Sequence, residues 1–127
     1  MKIVFIVDDC VTNLVTAEQV LLGHYEVYTF ASAQSMFDLI RKITPDLIVL
    51  DLLMPEVNGF VAFRQLMNDK RYMHIPVIIC TSKTDIVTEK ISYEIGAADF
   101  IRKPYTEDTL LNSVRKHIDC TRAGHNR

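Results

Sequence analysis

The sequence predicts a doubly wound α/β domain in which helices cover both faces of a five-stranded parallel sheet. Five short runs rich in β-branched and other apolar residues recur along the chain, and helical windows separate them. The runs show little polar alternation, which is typical of strands that are buried on both faces. Strands and helices that alternate in this way indicate βαβ units around a parallel sheet.

The predicted strands are short, and the first begins near the N-terminus. In a sheet of order 2-1-3-4-5, the winding of the chain reverses between the first and third strands, and ligands bind outside the carboxyl ends at that point. The sequence therefore predicts a binding site just after the first and third strands. The five strands are predicted at residues 2–7, 26–29, 47–50, 77–80 and 100–102.

Two helices are predicted between the second and fourth strands. Ser32 can cap the first of them and Pro45 stops it, whereas Gly59 opens the second. Apolar residues at helical spacing define one face of each helix. These faces are Met36, Phe37, Ile40 and Ile43 in the first helix, and Phe60, Phe63, Leu66 and Met67 in the second.

Two more helices are predicted in the last third of the chain. Val87, Ile91 and Ile95 recur at four-residue steps, and Gly96 ends that helix. Thr106 is a good N-cap for the last helix, whose charges suit the helix dipole. That helix has acids at its start (Glu107, Asp108), bases near its end (Arg115, Lys116) and a predicted buried side of Leu110, Leu111, Val114 and Ile118.

Length and charge limit the functional class. The chain has 127 residues, 49% of them hydrophobic, and a net charge of −2. We predict one domain over residues 1–120, with 121–127 a polar tail or the start of a linker, frayed from residue 119. No stripe of Lys and Arg invites nucleic acid or an anionic membrane. The N-terminal apolar run is too short for a signal peptide or a membrane span, so we expect a cytoplasmic protein.

Cysteine and histidine spacing argues against a disulfide framework and a zinc site. Cys10, Cys80 and Cys120 are an odd number without CxxC spacing. Cys80 is predicted to be a small buried hydrophobe, whereas Cys10 directly follows an acid pair, which leaves a redox role open. The histidines are too scattered to supply metal-ligand spacing and are predicted on the surface. They are His24, His74, His117 and His125.

Polar side chains follow four of the predicted strands where each strand ends. Asp8 and Asp9 close the first strand, and Asp51 closes the third. Thr81 follows the fourth strand and Lys103 follows the fifth. Three carboxylates at one rim would repel each other unless a hard cation lay among them. A lysine and a hydroxyl facing them suggest an incoming phosphoryl group.

These carboxylates predict a Mg²⁺ site, since Mg²⁺ prefers oxygen ligands and keeps several waters. Asp9 and Asp51 are the predicted direct ligands, and Asp8 could hold a metal-bound water. Pro55 keeps the following loop irregular, which leaves the Leu53 carbonyl free to ligate the metal. With such a cation bound, an aspartate is a competent nucleophile for phosphoryl transfer.

Each of these polar residues also has an ordinary structural interpretation. A strand-end Asp often caps a loop, and a Lys before a Pro is often a solvated turn residue. Those interpretations do not explain why acids close the first and third strands while a hydroxyl and an ammonium close the fourth and fifth. One anion-binding site explains all four placements.

Five segments resemble the receiver domain of two-component response regulators, and they cover nearly the whole chain. The resemblance implies a flavodoxin-like (CheY-like) three-layer fold. It implies that Asp51 takes a phosphoryl group from a phosphohistidine on a sensor histidine kinase or phosphotransfer protein, and that the protein catalyses only its own phosphorylation and dephosphorylation. The segments are IVDD, LIVLDLLMP, NGF, IPVIICTS and GAADFIRKP.

The resemblance also assigns roles to individual residues. Asp8 and Asp9 match the metal-binding acids, and the Leu53 carbonyl matches the backbone ligand of a Mg²⁺ ion that Mn²⁺ can replace. Thr81 matches the switch hydroxyl, and Lys103 matches the lysine that pairs with the phosphoryl group.

Three further expectations come from the same resemblance. Phe100 falls where the family places an aromatic switch residue, often a tyrosine. The alternative is an ordinary core aromatic, and the phenyl ring has no hydroxyl to bond. The Lys103–Pro104 peptide is expected to be cis. Leu53 and Lys83 are expected to set the dephosphorylation rate.

Output is expected on the surface of the fourth helix, fifth strand and fifth helix. A downstream effector protein or domain would bind there, and a phosphorylation-dependent homodimer is left open. A solvated mixed-charge face would carry the same residues, which are Glu89, Lys90, Tyr93 and Arg102.

Rival functions explain fewer of the residues. A flavin-binding carrier needs a loop of backbone and hydroxyl donors after the first strand, where this chain has two acids. A haloacid-dehalogenase-type hydrolase would have a second acid two residues after Asp51, where this chain has Leu53. A receiver used only for protein contact would not need the intact site. The chain could be a stand-alone regulator or the N-terminal receiver of a longer one with a DNA-binding, cyclic-di-GMP cyclase or phosphodiesterase output.

Overall fold

A computed structural model describes residues 1–54, 59–82 and 85–125, with side chains through residue 118. Strands and helices alternate along these residues, as the sequence predicts, and the predicted strand bounds agree to within one residue at each end. The elements are β1 (Ile3–Val7), α1 (Val11–Leu21), β2 (Glu26–Phe30), α2 (Ala33–Ile40), β3 (Leu47–Leu50), α3 (Gly59–Met67), β4 (Val77–Thr81), α4 (Ile86–Ile95), β5 (Asp99–Arg102) and α5 (Glu107–His125).

The five strands form one parallel sheet of order β2-β1-β3-β4-β5, which confirms the predicted fold. Val7, the last residue of β1, pairs with Phe30 on one side and with Leu50 on the other. The residues that follow β1 and β3 are therefore brought side by side at the carboxyl edge of the sheet.

Alternate residues of the strands face two separate hydrophobic layers. Phe5 and Ile79 belong to the layer under α2 and α3. Ile6 and Ile78 belong to the layer under α1 and α5. Because both faces are covered, β3 and β4 are buried along their whole length, and the three-layer sandwich is confirmed.

The predicted helix caps are present. The Ser32 hydroxyl accepts a hydrogen bond from Ser35 N–H at 3.2 Å, and the Thr106 hydroxyl accepts one from Thr109 N–H at 3.2 Å. Gly96 ends α4 with a φ of 131°, in the region that favours glycine.

The apolar stripe that indicates α4 reaches the core only at its last residue, Ile95, which packs against the layer under α2 and α3. Val87 is 64% exposed and Ile91 is 38% exposed. Ser92 is the fully buried residue, because its hydroxyl donates to the Thr88 carbonyl of the same helix at 2.8 Å and needs no partner elsewhere.

The last helix extends further than predicted. The backbone of α5 remains helical to His125, so helix replaces the predicted frayed segment from residue 119 to residue 125. Among the described residues, no helix is both long and apolar enough to cross a membrane.

Candidate functional site

Backbone hydrogen bonds hold the carboxyl ends of the strands together. Asp51 N–H donates to the Val7 carbonyl at 3.0 Å, which fixes the end of β3 against the end of β1. Lys103 N–H donates to the Thr81 carbonyl at 3.0 Å, which does the same for β5 and β4. The parallel register therefore extends one residue beyond the strands and aligns the polar residues that follow them.

A glycine allows α3 to start directly over this edge. A Cβ atom at Gly59 would lie 2.0 Å from the Asp51 carbonyl oxygen, so no other residue fits there without moving the backbone. Gly59 N–H donates to the Leu52 carbonyl at 3.1 Å. The backbone that carries Asp51 is thus held on both sides, by β1 and by the first turn of α3.

The three predicted acids converge. One carboxylate oxygen from each of Asp8, Asp9 and Asp51 lies within 4.8 Å of the other two. Asp8 and Asp51 are each 6% exposed, whereas Asp9 is exposed to solvent. The cluster is made only of hard oxygen donors and opens to solvent on the Asp9 side, which suits a hydrated Mg²⁺ ion.

Lys103 places its ammonium between the two buried acids. Its Nζ lies 2.5 Å from Asp8 Oδ2 and 3.3 Å from Asp51 Oδ2, and the lysine side chain is 15% exposed. The Lys103–Pro104 peptide is cis, as expected.

The other oxygen of each buried acid is held by its own loop. Cys10 N–H donates to Asp8 Oδ1 at 2.9 Å, and Leu53 N–H donates to Asp51 Oδ1 at 3.0 Å. The two carboxylates therefore repeat one arrangement, with one oxygen on a local N–H and the other toward Lys103.

Burial raises the pKa of Asp51, and the nearby charge of Asp8 adds to that effect. The Leu53 N–H bond and the charge of Lys103 oppose it without cancelling it. For Lys103, burial acts to lower the pKa, but the hydrogen bond that it donates to Asp8 and the charge of Asp51 outweigh burial and raise it. The ion pair therefore keeps the lysine charged, while Asp51 is a more basic carboxylate than an exposed aspartate.

The two predicted switch residues are both buried. Thr81 is fully buried at the end of β4. Phe100 is 8% exposed, pairs with Ile79 across β4 and β5, and packs in the layer under α2 and α3.

Of the two residues predicted to set the dephosphorylation rate, the structure describes one, Leu53. Leu53 is 46% exposed and follows Asp51 by two residues. Lys83 lies outside the described residues, as does Pro55.

Two of the three cysteines have described side chains. Cys80 is buried as predicted, and burial raises the pKa of its thiol to about 12. Cys10 is exposed beside the acid cluster, and a redox role for it stays a prediction.

One polar cluster was missed by sequence reasoning. Asp99 Oδ2 accepts hydrogen bonds from Ser113 Oγ at 2.6 Å and from His117 Nε2 at 3.2 Å. Asp99 Oδ1 accepts from Phe100 N–H at 2.8 Å and from Tyr93 Oη at 3.2 Å.

The prediction that His117 is a surface residue is therefore wrong, since its side chain is 16% exposed and faces an acid. His24 and His74 are exposed as predicted. The available signal was the four-residue spacing of Ser113 and His117 on α5, which places both on the helix face toward β5.

Comparisons with known proteins agree with this geometry. A family model described as "Response regulator receiver domain" matches residues 4–115. The chain is 37% identical over 116 residues to Protein PilH of Pseudomonas aeruginosa, with 90% of this chain and 95% of PilH covered. It is 30% identical over 120 residues to a probable cyclic di-GMP phosphodiesterase of Vibrio cholerae, with 94% of this chain covered. The chain spans only 27% of the length of that phosphodiesterase.

Solved structures show the same likeness. The crystal structure of a putative response regulator from Chloroflexus aurantiacus superposes with a TM-score of 0.86 at 28% identity, covering 93% of this chain and 98% of that one.

Proposed function

The chain belongs to the response regulator receiver domain family, and we propose that Asp51 is its phosphoacceptor, which takes a phosphoryl group from a phosphohistidine on a sensor histidine kinase or phosphotransfer protein. The observation that carries this proposal is the Lys103 ammonium held between two buried carboxylates, 2.5 Å from Asp8 and 3.3 Å from Asp51. Receiver domains are signalling domains, and the only chemistry we propose for this one is its own phosphorylation and dephosphorylation.

In the proposed transfer, an Asp51 oxygen attacks phosphorus. The P–O bond forms as the P–N bond to the donor histidine breaks, and the histidine leaves with its electron pair and takes up a proton. Lys103 is close enough to Asp51 to pair with an oxygen of the arriving group, and the Thr81 hydroxyl is a second donor at the same edge. The raised pKa of Asp51 fits a nucleophile, because a more basic carboxylate attacks more readily.

We further propose that Asp8, Asp9, Asp51 and the Leu53 carbonyl hold Mg²⁺, or Mn²⁺ in its place. The three carboxylates offer oxygen ligands within 4.8 Å of one another. When bound, the cation supplies charge neutralisation for the phosphoryl group. The acids position it, and their mutual repulsion is relieved by it.

The proposed output route runs through Thr81 and Phe100 to α4, β5 and α5. An effector protein or domain would bind that surface, and phosphorylation could also drive homodimer formation there. The net charge of −2 gives no support to direct nucleic-acid binding. The setting could be a stand-alone regulator, as its coverage of PilH favours, or the receiver part of a longer regulator such as the phosphodiesterase relative.

Intact-mass spectrometry tests the phosphoacceptor. The protein is incubated with acetyl phosphate or phosphoramidate and Mg²⁺, and the wild type should gain one phosphoryl group. Asp51→Asn should gain none, while Asp38→Asn, which changes an acid whose side chain is 62% exposed, should behave as wild type. A phosphoryl adduct that persists in Asp51→Asn would refute the assignment.

Calorimetric titration tests the metal site. Mg²⁺ and Mn²⁺ should bind the wild type and the Asp38→Asn control, and should not bind an Asp9→Asn, Asp51→Asn double variant. Unchanged affinity in the double variant would contradict the proposed ligands, because both predicted direct side-chain ligands would be neutral.

A further inference from the structure

The Asp99 cluster joins three elements of the proposed output surface. Asp99 begins β5, Tyr93 lies on α4, and Ser113 and His117 lie on α5. Oδ1 of Asp99 bonds toward α4, through Tyr93 Oη at 3.2 Å. Oδ2 bonds toward α5, through Ser113 Oγ at 2.6 Å and His117 Nε2 at 3.2 Å. A carboxylate is rigid and planar, so these bonds fix the two helices relative to one another.

Hydrogen-bond donors stabilise the ionised form of Asp99. Burial acts to raise its pKa, but the bonds from Ser113 and Phe100 N–H, with the charge of His117, outweigh burial and lower it. The pKa of Tyr93 is raised by burial and by the charge of Asp99. Tyr93 therefore stays protonated and donates, and the carboxylate stays ionised and accepts, which makes the bonds charge-assisted and stronger than neutral ones.

Asp99 is also coupled to the proposed switch residue. It directly precedes Phe100 and accepts the Phe100 N–H at 2.8 Å. Phe100 packs in the core layer under α2 and α3. Because the phenyl ring has no hydroxyl, it cannot signal by making or breaking its own hydrogen bond. A displacement of Phe100 would instead act through its backbone on Asp99.

We propose that Asp99 is a positioning residue that couples α4 to α5, so that phosphorylation of Asp51 moves both helices as one surface. This proposal rests on the proposed phosphoacceptor function. Asp99 transmits the change because its carboxylate has partners on both helices. The side chain of the switch residue, Phe100, has no polar group that could do so.

Amide NMR of the full chain tests the coupling. Beryllofluoride with Mg²⁺, a mimic of the phosphoryl group, is added to the wild type and to two variants. Ser113→Ala with His117→Phe removes the bonds toward α5, and Tyr93→Phe removes only the hydroxyl toward α4. Arg102→Gln is the matched control, because it removes an ion pair between β5 and Glu89 of α4 and leaves the partners of Asp99 in place.

In the wild type, amides of both helices should shift. In Ser113→Ala, His117→Phe, the shifts along α5 should fall below about half of their wild-type size, while those along α4 remain. Tyr93→Phe should give the reverse pattern. Asp99→Asn keeps an oxygen for Phe100 and Tyr93 but presents an amide donor to α5, so it should reproduce the loss along α5.

Three outcomes separate the proposals. Wild-type shifts on both helices in both variants would overturn the coupling and leave the phosphoacceptor in place. Selective loss limited to the Arg102→Gln control would also overturn it. If the wild type itself neither responds to beryllofluoride nor gains mass from acetyl phosphate, the proposed function fails and the coupling proposal fails with it.

Discussion

Asp51 directly follows β3 and Asp99 begins β5. Both carboxylates are shielded from solvent, yet their pKa values move in opposite directions. The pKa of Asp51 is raised and that of Asp99 is lowered. Burial opposes ionisation in both, more strongly at Asp51, whose side chain is 7% exposed against 30% for Asp99, and the groups around the two acids add to the difference.

The two acids also differ in the number of their hydrogen-bond donors. Asp99 accepts four hydrogen bonds from four different groups. Asp51 accepts one bond from its own loop and a longer one from a lysine that lies closer to Asp8. Asp8 then adds repulsion. An acid whose bonds are satisfied serves to hold structure, whereas an acid that is buried with too few partners is prepared to accept a cation or an electrophile.

The largest expected effect comes from removing the Lys103 ammonium beside Asp51. Lys103→Met leaves Asp8 and Asp51 shielded without their ammonium, and it should lower the free energy of unfolding by about 3 kcal/mol in metal-free buffer. Mg²⁺ should restore part of the loss, because the proposed metal site exists only in the folded state. Urea denaturation with and without Mg²⁺ measures both quantities.

Lys70→Met changes an exposed lysine and serves as the control. It should unfold as the wild type does, with or without Mg²⁺. If Lys103→Met were as stable as Lys70→Met in chelator, the acids would not depend on the ammonium, and the role given to Lys103 in opposing the raised Asp51 pKa would be wrong.

The second prediction compares the two acids directly. Asp99→Ala leaves Ser113 Oγ and Phe100 N–H without their acceptor and should cost about 2 kcal/mol of stability. Asp51→Asn removes a buried charge that lacks enough donors, so in metal-free buffer it should be neutral or stabilising, within about 1 kcal/mol. Urea denaturation of both variants in the same buffer measures the two changes in the free energy of unfolding and compares their signs. Equal destabilisation would remove the distinction between a structural and a reactive acid.

The same contrast explains what could be predicted from sequence. The ends of parallel strands share one edge, so strand assignment alone placed Asp8, Asp51 and Lys103 together. His117 and the buried Ser92 depend on how far a helix is rotated about its axis, and each is buried only because its polar group finds a partner. Such partners cannot be read from the spacing of apolar residues.

Asp99 was missed for a related reason. It follows two alanines and was placed outside the predicted strand at residues 100–102, although it is the first residue of β5. A short polar residue beside a glycine and alanines favours a turn by local preference. The donors from α4 and α5 outweigh that preference, and they come from tertiary structure.

The third prediction uses pH, with opposite signs for the two acids. The folded pKa of Asp99 is lowered, so its stabilisation is present above its unfolded value of about 3.9 and is lost as pH falls through the folded pKa. The stability advantage of wild type over Asp99→Asn should therefore shrink in acid.

For Asp51 the folded pKa is raised, so the folded state holds the proton more tightly. The stability of wild type relative to Asp51→Asn should fall as pH rises from about 3.9 through the folded pKa. Urea midpoints in chelator across this range measure both differences. Parallel slopes for the two variants would contradict the assigned pKa directions.

The smallest expected effect concerns how long phosphorylated Asp51 survives. Hydrolysis needs a water in line with the P–O bond that breaks, and side chains beside the acid can orient that water. Leu53 is 46% exposed next to Asp51 and its side chain offers no hydrogen bond. Lys83, matched by family resemblance, has donors only and cannot accept a proton from the water while charged. We therefore expect both residues to favour a long-lived phosphorylated state.

Leu53→Asn with Lys83→Glu should therefore dephosphorylate faster than wild type, by about fivefold, which corresponds to about 1 kcal/mol of barrier. Decay of the phosphorylated mass in Mg²⁺ buffer measures the rate. Leu22→Asn, which makes the same change at a leucine that is 59% exposed at the end of α1, should leave the rate unchanged. Equal or slower decay in the double variant would mean that water reaches the phosphoryl group by a path that neither side chain borders. The lifetime would then be set by the burial and donors of Asp51 itself, the feature that separates it from Asp99.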